Sequence, residues 1–226
     1  MNCERATGVV LRTRPLTDTS LIVQWLTDAK GRLATVAKGA RRHKSPFRGQ
    51  LDLFYLAEFS FARSARSELH TLREVKVLQT HPTLRQHLPR LRQVCYCAAL
   101  LEQTTETEAP LRSLFHQFTA LLSQSHQEPA RPQTIFAFEM KLLHDLGLMP
   151  NLAEAKLSAG SRQILGRLAE LDWGAVFRLR PSPAQVEEIR HFLHGFLIYH
   201  TGKIPKGRAA ALAPEPTSAS GESVVL

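Results

Sequence analysis

Cysteine is scarce. Cys3, Cys95 and Cys97 are the only ones in a chain of 226 residues. An odd number without framework spacing excludes a disulfide scaffold and points to reduced thiols in a cytoplasm. Long apolar runs are missing too, so no stretch reaches the roughly eighteen residues that a membrane-spanning helix needs. The opening MNCERATGVV carries Glu4 and no apolar core, and does not read as a signal peptide. No glycine-rich phosphate loop ending in Lys-Ser/Thr occurs, which argues against ATP use. No Ser/His/Asp or Cys/His arrangement can be recognised along the chain, and the ten histidines offer no convincing ligand pair. Asp18, Asp28 and Asp52 fall at turns and strand edges rather than in a cluster, which argues against a metal-dependent nuclease. Neither an enzyme nor a bound cofactor or metal is expected.

Acid is also absent locally. Between Asp28 and Asp52 there is no Asp or Glu, while Lys30, Arg32, Lys38, Arg41, Arg42, Lys44 and Arg48 all fall there, with His43. The formal net charge of the chain is +9, and this window supplies most of it. Solvated loops ordinarily mix signs, so a single-sign segment predicts a polyanionic partner. Nucleic acid fits, because neutralising its phosphates releases condensed counterions. Ala40 to Gly49 has no periodicity and contains Pro46, which predicts a flexible cationic loop.

Around that loop the first third reads as short strands. Ala6–Thr13, Thr19–Thr27, Arg32–Lys38, Leu51–Phe61 and Glu68–Gln79 alternate apolar and polar residues. Pro15 and Asp18 mark one turn, Asp28 to Gly31 another, and the polar stretch Ala62–Ser67 a third. Leu21, Val23 and Trp25 share a face, as do Leu51, Leu53, Tyr55, Ala57, Phe59 and Phe61. Five strands in so short a span predict a small closed barrel, of the OB or the SH3-like kind.

From Pro82 the period changes to that of helices. Leu91, Val94, Cys95, Ala98 and Leu101 define one. Ala109–Ser123, Arg131–Leu146 and Ser161–Leu171 follow, and Ser182 caps another that carries Ile189, Leu193 and Leu197. The apolar arc of Arg131–Leu146 is wide enough for a central, mostly buried helix. Lys203, Lys206 and Arg208 form a second, smaller basic cluster. The predicted class is α+β: a five-stranded barrel over residues 1–80, a helical domain over 81–208, and a tail over 209–226 expected to be disordered.

The order of these pieces resembles the RecO family of bacterial recombination mediators. The likeness rests on ATGVVLRTRPLTDTSLIVQWLTDAKGRL with its Asp18-Thr19-Ser20 step, on VAKGARRHKSPFRGQLDLF, on LHTLREVKVLQTH and on IFAFEMKLLHDLGLMPNL, and it spans roughly residues 5 to 208. The resemblance implies an N-terminal OB-fold and a helical C-terminal domain. It implies binding of single- and double-stranded DNA, annealing of complementary strands, and help in loading RecA onto DNA covered by single-stranded-DNA-binding protein. The implied partners are RecR and the acidic C-terminal tail of that covering protein, and the implied location is the cytoplasm, at the nucleoid. One departure stands out: many members carry a four-cysteine zinc site after the segment that here ends at Pro150, whereas Asn151 to Leu157 contain no cysteine.

Annealing requires charge to offset phosphate repulsion and no covalent chemistry. Lys38, Arg41, Arg42, Lys44 and Arg48 are the candidate backbone contacts, and Arg14, Lys30, Arg32, Arg73 and Lys76 extend the patch if they face outward. Phe47 is either a platform for base stacking or a plug on the barrel. Trp25, Tyr55, Phe59 and Phe61 read as core. Arg131, Phe138 and Lys141 are candidates for an acidic partner peptide, with a solvated helix face as the plainer reading. An RNA-binding OB protein is the main rival; it predicts a preference for RNA over DNA.

Overall fold

A computed structural model describes residues 3–124 and 129–213. Five strands, β1 (Cys3–Pro15), β2 (Leu21–Thr27), β3 (Gly31–Ala37), β4 (Leu56–Ala62) and β5 (Leu69–Gln79), close a barrel in the order β1-β2-β3-β5-β4. All the pairings are antiparallel except β3 with β5, which run parallel from Ala34↔Leu69 to Val36↔Thr71. The order and the single parallel pair are those of the OB-fold, which decides against the SH3-like barrel.

β1 serves both halves. Its first part pairs with β4 (Cys3↔Ala62 to Val9↔Leu56) and its second with β2 (Gly8↔Thr27 to Pro15↔Leu21), with a bulge between Val10 and Arg12. A bulge bends the strand and re-aims its side chains. Val10 accordingly joins the barrel interior, while Val9 and Leu11 join the helical core. Inside the barrel Trp25 stacks on Phe59 at 4.1 Å, and its indole Nε1 donates to Thr35 Oγ1 at 2.9 Å. That bond satisfies the indole N–H and the threonine hydroxyl, both buried.

The strand predicted over Leu51–Phe61 begins only at Leu56. Residues 51–55 are wound into turns, and Phe54 has φ +64°, which no strand accommodates. Phe54 instead points at the helices and meets Phe118 edge-on at 6.3 Å; Phe118 in turn meets Phe138 at 6.1 Å.

A 3-10 turn (Pro82–Gln86) leads into α1 (Leu88–Thr104), α2 (Arg112–Gln124), α3 (Pro132–Asp145), α4 (Ala159–Leu168), α5 (Trp173–Arg178), α6 (Pro183–Thr201) and α7 (Arg208–Leu212). α3 is the central helix, buried on all sides from Gln133 to Leu143. Ser182 caps α6 in a reciprocal capping box with Gln185. α5 is too short to leave a periodic signal; Asp172 caps it and Trp173 anchors it.

The predicted tail is shorter than its expected bounds. Residues 209–212 belong to α7, with Ala211 and Leu212 buried, while 214–226 lie outside the described residues. The basic cluster also loses a member. Arg208 is buried, donating through Nε to Glu139 Oε1 at 2.7 Å and through NH2 to Glu139 Oε2 at 2.8 Å. Tyr96 of α1 donates to the same carboxylate at 2.6 Å, so one buried acid joins α1, α3 and α7.

Barrel and helices share a core, with Val9, Leu11, Leu26 and Phe54 packed among helical residues. The α1–α2 connection also lies against β3: Glu108 N–H donates to Arg32 O at 2.9 Å and Thr107 bridges Arg32 in parallel. Gly31 permits this approach. Its φ is +65°, and a Cβ there would lie 1.8 Å from Ala109 O.

Arg208→Ala would leave the Glu139 carboxylate buried without its partner. We expect a loss of about 3–5 kcal/mol of stability, read as a lower urea midpoint; an unchanged midpoint would remove the pair from the account of the fold.

Candidate nucleic-acid interface

The β1–β2 turn and the β3–β4 connection meet at one end of the barrel. The turn closes on itself, with Leu16 N–H donating to Ser20 O at 3.0 Å and Ser20 N–H to Thr17 Oγ1 at 3.1 Å. The connection is bonded to it: Arg41 N–H donates to Thr19 O at 3.0 Å, Gly39 N–H to Ser20 Oγ at 3.4 Å, and the Arg41 guanidinium to Thr17 O at 3.3 Å.

The connection is not the extended arm that its lack of periodicity suggests. It winds through successive turns, Arg42 N–H to Gly39 O, Ser45 N–H to Arg42 O, Arg48 N–H to Ser45 O and Gln50 N–H to Phe47 O. Its downstream end is clamped by Arg85, which pairs with Asp52 at 3.0 Å, donates to Leu53 O at 2.8 Å, and lies 5.0 Å from the centre of the Tyr55 ring. Lys38, Arg41, Arg42, Lys44 and Arg48 are all exposed on this wound segment. Arg14 joins them from β1, opposite Ile22 and next to the turn. Arg73 is exposed as well, mid-strand in β5; it lies two residues past Thr71 as Lys38 does past Val36. Asp18 is the acid of the adjoining turn.

Other candidates are placed elsewhere. Phe47 is 7% exposed and packs into the barrel interior with Leu51, which makes it the plug and removes it as a stacking platform. Arg32 is half-buried: it donates through Nε to Thr105 Oγ1 at 2.8 Å and through NH2 to Thr105 O, and burial lowers its pKa. Lys30 pairs with Glu4 at 2.6 Å, and Lys76 lies 3.8 Å from Glu58.

Lys30 and Lys76 line a groove of about 820 Å³ on the flank of the barrel, where Arg5, Asp28, Glu58 and Glu74 also face it. Three cations and three acids there give no preference for a polyanion. Between the β1–β2 turn and the wound connection lies a smaller groove of about 430 Å³, lined by Lys38 and Arg42 and by no acid. The charge of the smaller groove, and not the size of the larger one, makes it the candidate site.

At the opposite end of the barrel Arg63 and His70 are engaged by acids, while Arg66 is exposed. Arg63 bonds Glu4 and Glu108, each at 2.6 Å, and His70, buried, bonds Glu108 at 2.8 Å. Ser64 N–H donates to His70 Nδ1, so Nε2 carries the proton shared with Glu108. The Arg63 and Lys30 hydrogen bonds hold the Glu4 carboxyl at about 2, and Arg63 lowers Glu108.

The peptide candidates on α3 do not form a surface. Phe138 is 0% exposed and Lys141 3%. Lys141 Nζ donates to Ala169 O at 3.1 Å and Leu171 O at 2.6 Å, satisfying carbonyls just beyond α4, and burial lowers its pKa. Arg131 alone is partly exposed, at the N-cap of α3, where its carbonyl accepts from Gln93 at 2.8 Å. Sequence reasoning missed Arg85, a lone arginine in a polar stretch, Leu16 and Thr17, which fall in the turn marked by Pro15 and Asp18, and Ser20, which reads as the start of a strand.

Comparison with known proteins agrees with this architecture. Residues 1–81 match the family model described as Recombination protein O N terminal, and residues 85–155 match Recombination protein O C terminal. Three curated relatives are each named DNA repair protein RecO. The one from Rhodopirellula baltica is 34% identical over 143 residues, covering 63% of this chain and 53% of the relative. The one from Idiomarina loihiensis is 37% identical over 143 residues, covering 62% and 59%. The one from Anaeromyxobacter dehalogenans is 32% identical over 152 residues, covering 67% and 60%. The matched part of the chain thus spans little more than half the length of these relatives.

If Phe47 is a plug, Phe47→Ala will cost about 3–5 kcal/mol of stability, measured by urea denaturation; a variant of full stability with weakened nucleic-acid binding would restore the stacking role. The Glu4 and Glu108 carboxylates are depressed, so what they contribute to stability is present above the ordinary value of 4.5 and is lost as pH falls from there toward about 2. Glu4→Gln/Glu108→Gln should therefore flatten the fall of the melting temperature over that range; two parallel curves would contradict it.

Proposed function

Because this chain belongs to the RecO family, we propose that it acts in DNA repair as a non-enzymatic mediator that binds single- and double-stranded DNA and anneals complementary strands. The observation that carries the proposal is the cluster of Lys38, Arg41, Arg42, Lys44 and Arg48, exposed together on a segment bonded to the barrel, with Arg14 beside them. Annealing is opposed by the repulsion of two polyanions. A surface of concentrated positive charge lowers that barrier by replacing condensed counterions at both strands, and the release of those counterions drives binding. The role asks for no proton transfer and no nucleophile.

The same reading extends to partners. The protein assists RecA loading on DNA covered by single-stranded-DNA-binding protein, together with RecR. The acidic tail of the covering protein finds Arg131 within reach at the start of α3, where the helix dipole adds to the attraction. Phe138 and Lys141 form part of the helical core and take no part in that contact.

Two measurements test the central claim. The purified protein should accelerate pairing of complementary single strands at low salt; no acceleration would defeat the annealing role. Reversing three charges, Arg41→Glu/Arg42→Glu/Lys44→Glu, should reduce the slope of log affinity against log salt for single-stranded DNA by about 2, and an unchanged slope would remove the segment from the site. Tighter binding of the same sequence as RNA would redirect the proposal to RNA.

A further inference from the structure

The cationic end of the barrel also presents something that phosphate does not require. Leu16 stands in the β1–β2 turn with 46% of its surface exposed, after an exposed Pro15. It lines the acid-free groove together with Val36, while Lys38 and Arg42 line it as cations and Thr17 and Ser20 as hydroxyl residues. A single exposed leucine is ordinary on a protein surface. One that forms an apolar wall of a cleft lined by two cations fits a ligand that is anionic on one side and apolar on the other.

A nucleotide has those two sides only when unpaired. In a duplex the base faces are stacked on their neighbours, and the backbone offers mainly charge. In a single strand each base exposes a flat apolar face one sugar away from its phosphate. The groove volume of about 430 Å³ lies in the range of small-ligand clefts, commonly about 300–1,000 Å³. The cleft is also built in advance. The turn is closed by its own hydrogen bonds, the facing segment is bonded to it through Arg41 and Gly39, and Ser20 Oγ, which accepts from Gly39 N–H, keeps its own proton to donate. Little ordering is then left to offset binding.

We infer that this groove receives one unpaired nucleotide of a bound single strand, with the base against Leu16 and Val36 and the phosphate against Lys38 and Arg42. The inference rests on the proposed function and narrows it: this end of the barrel recognises unpaired strand rather than phosphate alone.

The test measures affinity of the full chain for an oligodeoxynucleotide, for the same strand with abasic sites, and for the duplex, across a salt series. The native protein should bind the ordinary strand about fivefold more tightly than the abasic one. Leu16→Ser should lose about that factor on the ordinary strand alone, with its salt slope unchanged, and Leu16→Met should restore it. Equal affinity of the native protein for ordinary and abasic strands would overturn the inference, and so would an equal loss by Leu16→Ser on all three ligands. Either result leaves the phosphate contacts standing, since those are read separately from the slope of the charge-reversed variant. If charge reversal, which includes Arg42, leaves the slope unchanged, the phosphate half of the inference falls with the broader reading, and a loss by Leu16→Ser on the ordinary strand alone then keeps only the base contact at Leu16.

Discussion

Phe47 and Leu51 insert into the barrel from the acid-free segment that carries Lys38, Arg41, Arg42, Lys44 and Arg48. This insertion is the contact on which the functional surface depends. Like charges packed on one short segment repel each other, and an untethered loop would relieve the repulsion by extending into solvent. Burial of an aromatic and an aliphatic side chain opposes that extension. The hydrogen bonds from Gly39 and Arg41 to the β1–β2 turn then fix the segment against the barrel rim, and Arg85 holds its far end. The cations are concentrated because the residues between them are not cationic.

The helical domain shapes the same surface from a distance. It covers the outer face of β1 and β2 through Val9, Leu11 and Leu26, so that face of the OB-fold is closed to other partners. It also absorbs charge. Thr105 binds Arg32, while Glu108 binds Arg63 and His70 at the barrel end remote from the wound segment. Positive potential is thereby lowered at one end and left at the other. The helical domain in turn depends on two buried cations, Arg208 against Glu139 and Lys141 against the carbonyls of Ala169 and Leu171, neither of which is available to a ligand.

Much of this was legible in the chain itself. Alternation at Leu21, Val23 and Trp25, and at Leu33, Thr35 and Ala37, is dictated by a two-residue side-chain period, and those residues line the barrel as that period requires. The wide apolar arc over 131–146 became the buried central helix, because a helix that is apolar nearly all round has no face left for water. The pattern failed at Leu51 to Tyr55, where alternation alone cannot distinguish a strand from turns whose apolar residues face two different cores: Leu51 faces the barrel and Phe54 the helices.

The sequence by itself determined the class of the fold and the segment on which positive charge concentrates, since periodicity and composition are local properties, and the order of its motifs carried the likeness to the family. Which cations remain accessible was decided only by tertiary structure. A lysine or arginine looks the same in sequence whether it meets solvent, as Lys44 does, or a buried carboxylate, as Arg208 does. The partners that make the difference lie far away along the chain: 69 residues separate Arg208 from Glu139, and 73 separate Arg32 from Thr105. Electrostatic free energy depends on distance in space and on burial, and neither is written in the order of residues.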